Sequence, residues 1–252
     1  MLSLVRTNTR LKVIRTSITL ALFGCVSLAV GAMAAEPNAK FERTYSPQGV
    51  AHLRLTNVNG KIHVTSWDRR TISVRSNAEP AVTIQDEVAR DEIIITVKRD
   101  LIRLRRSDFE VFVPVNTSLT LKSFMGDIEV SDVAGHVSIN SIDSNVRLVG
   151  LNCPSVDVRV TSGDIFFDGQ LHDGGSYNLQ SFKGDIDVTL PGETSFSLNA
   201  RALSENINLG GFLNSLSRST RGAKGVSGTY LNGNSRLTLT AFAGRILLHK
   251  RQ

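Results

Sequence analysis

The chain of 252 residues is 41% hydrophobic, enough to bury a core as one domain or two small ones. Its formal charge of +6 is concentrated in residues 1–34, where Arg6, Arg10, Lys12 and Arg15 stand without an acid. The remainder is too weakly basic for a nucleic-acid-binding surface, so no nucleic-acid partner is expected.

The first element is an export signal over residues 1–34. A basic stretch ends at Arg15, the apolar run TSITLALFGCVSLAVG follows, and Ala32–Ala34 supply small residues for cleavage before Ala35. Two alternatives stay open: an uncleaved N-terminal membrane anchor through Ile18–Ala35, and a lipoprotein acylated at Cys25. After cleavage only Cys153 remains, so no intrachain disulfide can form and no membrane span is left. The protein is therefore expected in the periplasm or at the cell surface, with residues 35–252 as one β-solenoid domain.

A repeat then occupies most of the chain. Its mark is a glycine, at Gly60, Gly126, Gly163, Gly184 and Gly244, with Ser144 and Glu205 in two weaker copies. From Gly126 to Glu205 the spacings are 18, 19, 21 and 21 residues, a solenoid period. Seven before the mark stand Leu53, Leu119, Val137, Val156, Tyr177, Leu198 and Leu237, and five before it Leu55, Leu121, Ile139, Val158, Leu179, Ala200 and Leu239. The columns six and four before are polar throughout, which is the period of a strand with one buried face. Two after the mark comes Ile or Val in every copy, and four after it Val, Leu or Phe. Each copy thus reads as a strand, a tight glycine corner and a second short strand. Stacked copies would line up their apolar columns into one interior. The expected fold is all-β, a single-stranded parallel β-helix or solenoid of roughly 20-residue coils, right-handed by the crossover rule. At that length residues 35–252 would make some ten or eleven coils.

Two stretches interrupt the columns. Residues 66–115 contain the strand-like runs TISVRS, EIIITVKR and DFEVFVPV, with EIIITV expected to be central. Between the last two lies KRDLIRLRRSD, whose Lys98, Arg99, Arg103, Arg105 and Arg106 could bind an anion or could form a solvated tip that blocks edge pairing. Residues 210–235 are rich in Gly and Ser and carry Arg218, Arg221 and Lys224. They read either as a binding loop or as a flexible insertion.

The stretch VFVPVNTSLTLKSFMGDIEVSDVAGHVSI and the GDI copies after it resemble the bacterial putative-adhesin family of exported, repetitive β-proteins. The resemblance covers most of Phe41–Lys250, including Val113-Pro114 and the closing LTLTAFAGRILLHK, and departs from the pattern at Ser144 and Glu205. It implies a β-helix-like fold and an envelope location, and it transfers no catalytic residue.

No residue set asks for catalysis, a metal or a cofactor. Asp127, Asp164 and Asp185 follow the glycine, where Asp and Asn serve corners by bonding local backbone. His52, His63, His136, His172 and His249 are scattered over coils and columns, and Cys153 lacks an activating neighbour. The column four before the mark contains no acid, and Lys122, Arg159 and Arg201 on alternate coils would stand about 10 Å apart. That strip could grip an anionic envelope glycan, lipopolysaccharide or another envelope protein, or it could be an ordinary solvated face without aromatic stacking partners. The leading function is non-enzymatic recognition of a polymer or protein along the repetitive face. The alternatives are a structural or assembly part of the envelope and a polysaccharide-active enzyme.

Overall fold

A computed structural model of the chain describes residues 39–98, 104–204, 206–222 and 224–251. The expected signal segment, the anchor, Cys25, Arg99, Arg103 and Glu205 lie outside the described residues. In chain order the strands begin with β1 (Ala39–Tyr45), β2 (His52–Asn59), β3 (Ile62–Trp67), β4 (Ile72–Ala78), β5 (Ile84–Ala89), β6 (Glu92–Val97) and β7 (Ser107–Pro114). The regular region holds β8 (Ser118–Met125), β9 (Ile128–Ser131), β10 (Val137–Asp143), β11 (Val146–Leu151), β12 (Ser155–Ser162), β13 (Ile165–Gly169), β14 (Ser176–Lys183) and β15 (Ile186–Pro191). After β16 (Phe196–Ala202) and β17 (Ile207–Asn208) come the 3-10 helix η1 (Gly210–Ser215), then β18 (Ser217–Gly222), β19 (Gly225–Tyr230), β20 (Ser235–Ala243) and β21 (Ile246–Arg251).

These strands form a ten-stranded and an eleven-stranded sheet, and each copy of the repeat contributes its first strand to the larger sheet and its second to the smaller. The apolar columns are in parallel register: Leu119, Val137, Val156, Tyr177 and Leu237 pair in sequence across five strands. Ile128, Val146, Ile165, Ile186 and Ile246 do the same in the smaller sheet. All ten are at most 2% exposed, so the sheets enclose one continuous core.

At the corner, glycine is required by space as well as by backbone angle. Gly184 has φ +144°, and a Cβ there would overlap the carbonyl oxygen of Gly163 on the neighbouring strand pair. Buried polar side chains three before the mark satisfy the corner backbone: Asn57 Nδ2 donates to Ser107 O at 2.9 Å, and Ser181 Oγ donates to Gly163 O at 2.9 Å.

The stacking order departs from the sequential solenoid expected. At one end β6 and β7 pair with the outer edges of β2 and β3, so the pair nearest the N-terminus is the second in the stack. At the other end β20 and β21 insert between β14/β15 and β16/β17. The strand pairs beyond them turn antiparallel: β4 on β7, β1 on β4, β5 on β6, β19 on β16 and β18 on β19. Eight strand pairs therefore follow the repeat among the described residues, fewer than the ten or eleven expected, because chain at both ends forms caps instead. An uncapped parallel stack would offer its terminal strands as templates for further pairing. EIIITV, expected to be central, is β6, one strand from the edge of its sheet.

Residues 210–235 form most of the second cap. Phe212 of η1 is fully buried, and its ring meets Phe196 and Tyr230 with centroids 5.3 and 4.9 Å apart. Tyr230 donates to Gly192 O at 2.8 Å. Such an edge-packed aromatic cluster closes the core end that the repeat leaves open.

Candidate binding face

The two outer faces differ in how their charges are matched. On the ten-stranded sheet, Glu129 lies 3.8 Å from His63 and 4.0 Å from Arg147, and Arg147 sits over the Phe166 ring at 4.3 Å. Asp187 lies 3.4 Å from His249, and Asp168 pairs with Arg251. A cleft of about 670 Å³ at one end of this face includes Glu42, Arg75 and Asp108, but Arg75 holds Glu42 at 2.9 Å and Arg106 holds Asp108 at 2.9 Å.

Of the aspartates after the corner, Asp164 and Asp185 accept from backbone, while Asp127 Oδ1 accepts from Asn145 Nδ2 at 3.2 Å. Asp185 N–H donates to Asp164 Oδ1 at 2.8 Å, and Arg245 N–H donates to Asp185 Oδ1 at 2.7 Å. Asn145 Oδ1 accepts from Asp164 N–H at 3.0 Å in the same way. The Arg245 guanidinium, 2.5 Å from Asp185, holds that carboxyl below its ordinary range against a smaller opposing push from burial. A depressed carboxyl stabilises the fold above its unfolded titration range, and that contribution is lost as pH falls through the lower folded value. Asp185→Asn keeps the backbone acceptor and removes the charge. It is expected to narrow the gap in melting temperature between neutral and acid pH, read from thermal melts across pH 2 to 7.

The remaining candidates for chemistry are separated or buried. Among the described residues no cluster of three or more His, Cys, Asp and Glu could hold a metal. Cys153 is fully buried, donates to Val133 O at 3.2 Å, and burial pushes its thiol up to about 12. Among the described residues no helix is long and apolar enough to cross a membrane.

The basic segment is an insertion between β6 and its corner. Ten residues separate Val97 from Ser107, where three separate Asn57 from Gly60 in the adjoining pair. The described arginines are engaged within the protein: Arg105 donates to Pro80 O at 2.9 Å and Arg106 to Asp108 at 2.9 Å. Lys98 begins the segment, its N–H bonded to Thr83 O at 2.9 Å.

The outer face of the eleven-stranded sheet carries the predicted strip. Lys122, Asn140 and Arg159 are register partners on successive strands, so the first two cations do stand on alternate strands. Arg201 does not follow in that rhythm. β20 intervenes, and the order runs Arg159, Gln180, Thr240, Arg201. Arg159 is held by Asp157 at 2.6 Å, whereas Lys122, Lys183, Arg201 and Arg236 have no ion pair among the described residues.

Beside the strip runs a column that the alternation rule overlooks. Two before the mark the residues are Val58, Phe124, Ile142, Thr161, Phe182, Leu203 and Phe242. Parity turns this column outward, yet six of its seven members are apolar. Ile142, Phe182, Leu203 and Phe242 are 44–50% exposed, and the Phe182 and Phe242 rings lie 5.3 Å apart on neighbouring strands. A groove of about 350 Å³ joins the two columns, lined by Thr56, Val58, Lys122, Phe124, Asn140 and Ile142. The signal is present in the sequence as a break in parity before six of the seven corners, Thr161 being the exception.

The fold is shared with a solved structure. A putative cell adhesion protein from Clostridium sporogenes ATCC 15579 superposes with a TM-score of 0.52 at 14% identity, covering 84% of this chain and 99% of that one. A putative adhesin from Bacteroides fragilis NCTC 9343 aligns at 11% identity over 82% of this chain and 95% of its own, with a TM-score of 0.39. No curated protein matches the sequence. The profile described as Toastrack DUF4097 matches residues 52–248, which include every glycine-marked corner, and the chain belongs to that family.

Proposed function

We propose that the protein is an exported, non-enzymatic binding scaffold of the bacterial envelope, working in the periplasm or at the cell surface. It recognises an extended partner along the outer face of the eleven-stranded sheet. The carrying observation is the contrast between faces: the ten-stranded one pairs most of its charges among its own residues, Glu110 excepted, while on the other Lys122 and Arg201 have no ion pair among the described residues and stand beside an exposed apolar column. A fold held by a core continuous across the parallel strands gives a rigid, periodic platform for such recognition. The name of the Clostridium structure, a putative cell adhesion protein, supports a binding role over an enzymatic one. Export rests on the basic, apolar and small-residue pattern of residues 1–34.

The test is binding of the mature protein to isolated envelopes of producing cells, with Lys122→Gln/Arg159→Gln/Arg201→Gln beside the parent. The parent should bind more weakly as salt rises, and the triple variant should lose most of the salt-sensitive part. Equal binding by the two proteins at low salt would rule out this face as the recognition surface.

A further inference from the structure

We infer that the partner is an acidic polysaccharide lying across the strands, its sugar rings on the outward apolar column and its carboxylates toward the neighbouring cations. This rests on the binding-face reading above and names the chemistry it serves.

The ring platform comes first. Phe182 and Phe242 are 50% and 44% exposed, with centroids 5.3 Å apart and ring planes 34° from parallel, on strands that are direct neighbours. Ile142 and Leu203 extend the same column at 46% and 49% exposure. On its corner side the exposed Lys183 and Ala243 come next, and beyond them Gly184 and Gly244 raise no side chain. The apolar C–H face of a pyranose ring stacks on such side chains, as bases stack on aromatics in single-strand binders. Strands repeat at about 4.8 Å, comparable with the advance of one ring in an extended hexose chain.

The adjoining column supplies what a hydroxyl-rich, charged chain needs. In stacking order it reads Lys122, Asn140, Arg159, Gln180, Thr240 and Arg201, cations interspersed with amide and hydroxyl groups. Lys122 and Arg159 are two strands apart, which suits a carboxylate on every second ring, and a carboxylate at Arg159 would share the guanidinium with Asp157, 2.6 Å away. A membrane leaflet fits less well, because the column is one side chain wide and Thr161 interrupts it. An added peptide strand fits less well too, since it would pair at a sheet edge and this is a sheet face.

The experiment titrates the mature protein with hyaluronan oligosaccharides, which carry a carboxylate on alternate rings. Neutral cello-oligosaccharides, inorganic polyphosphate and phosphatidylglycerol vesicles are the comparison probes. The expected result is binding of hyaluronan oligosaccharides in preference to all three. Phe182→Ser/Phe242→Ser should weaken it at least tenfold, and Lys122→Gln/Arg159→Gln should weaken it and flatten its salt dependence. Ile142→Ser is a second apolar variant, and thermal melts matching the parent establish that each variant is folded. Binding of polyphosphate with no effect of the phenylalanine change would overturn the polysaccharide and leave the cationic face standing. Binding of vesicles alone, lost in both variants, would replace the glycan with a lipid surface on the same face. Hyaluronan binding untouched by either double variant would overturn the inference and the face together, and no binding to any probe would overturn the inference alone.

Discussion

Gly184→Val is expected to be among the most damaging single substitutions in the described structure. Its backbone sits at φ +144°, where a side chain costs about 1–3 kcal/mol by itself. The added Cβ also meets Gly163 O, so the strand pairs on that side must part. Parting them strains the ladder bond from Gly163 N–H to Lys183 O at 2.7 Å, which joins the two strand pairs that clash. We expect a loss of about 3–5 kcal/mol, or at least ~6 °C in melting temperature for a domain of this size. Circular dichroism melts of the variant and the parent measure it. Ser144 occupies the same column without a left-handed φ, bonded through its hydroxyl to Ser141, so the column accepts a side chain only where the local backbone allows one. A shift under ~2 °C for Gly184→Val would mean that the corners are not packed as described.

Removing the last strand pair should be equally severe, for a topological reason. In a sequential solenoid the C-terminal coil is the outermost, and its loss merely shortens the stack. Here β20 and β21 lie inside it, pairing on both sides, and Leu237, Leu239, Ile246 and Leu248 are fully buried. Removing those four side chains alone forfeits on the order of 6–12 kcal/mol, comparable with the whole stability of a domain. A chain ending at residue 233 is therefore expected to lose its cooperative melt and its soluble, monodisperse behaviour. Size-exclusion chromatography and thermal melts decide it. A truncated chain that melts cooperatively near the parent's temperature would contradict the inserted order.

The apolar columns and the glycine corner could be read from the sequence because each is a local pattern, and register between parallel strands repeats it unchanged. Stacking order is not local. The gaps of 66 residues from Gly60 to Gly126 and 39 from Glu205 to Gly244 look like missing periods, whereas they are excursions that build caps and return. Ser107 carries no corner signature in the sequence because the basic insertion separates it from β6. The outward apolar column escapes the alternation rule for a different reason: strict alternation holds to four before the mark and breaks at two. The absence of stacking groups held against glycan binding is thus a property of one column only, since Phe124, Phe182 and Phe242 stand in the next. Arg201 is displaced from the expected rhythm by the inserted β20, which no count of spacings along the chain would reveal.

The most direct test of the binding face is to block one outer face at a time. Asn140→Cys places a thiol on the eleven-stranded face and Glu129→Cys one on the opposite face, at positions that are exposed and half-buried respectively. Buried Cys153, with its thiol pushed up to about 12, should not compete for a maleimide-linked polymer. After labelling, binding to isolated envelopes should be abolished by the polymer at position 140 and preserved with it at position 129. Loss only at position 129, or equal binding by both labelled proteins, would place the recognition surface elsewhere.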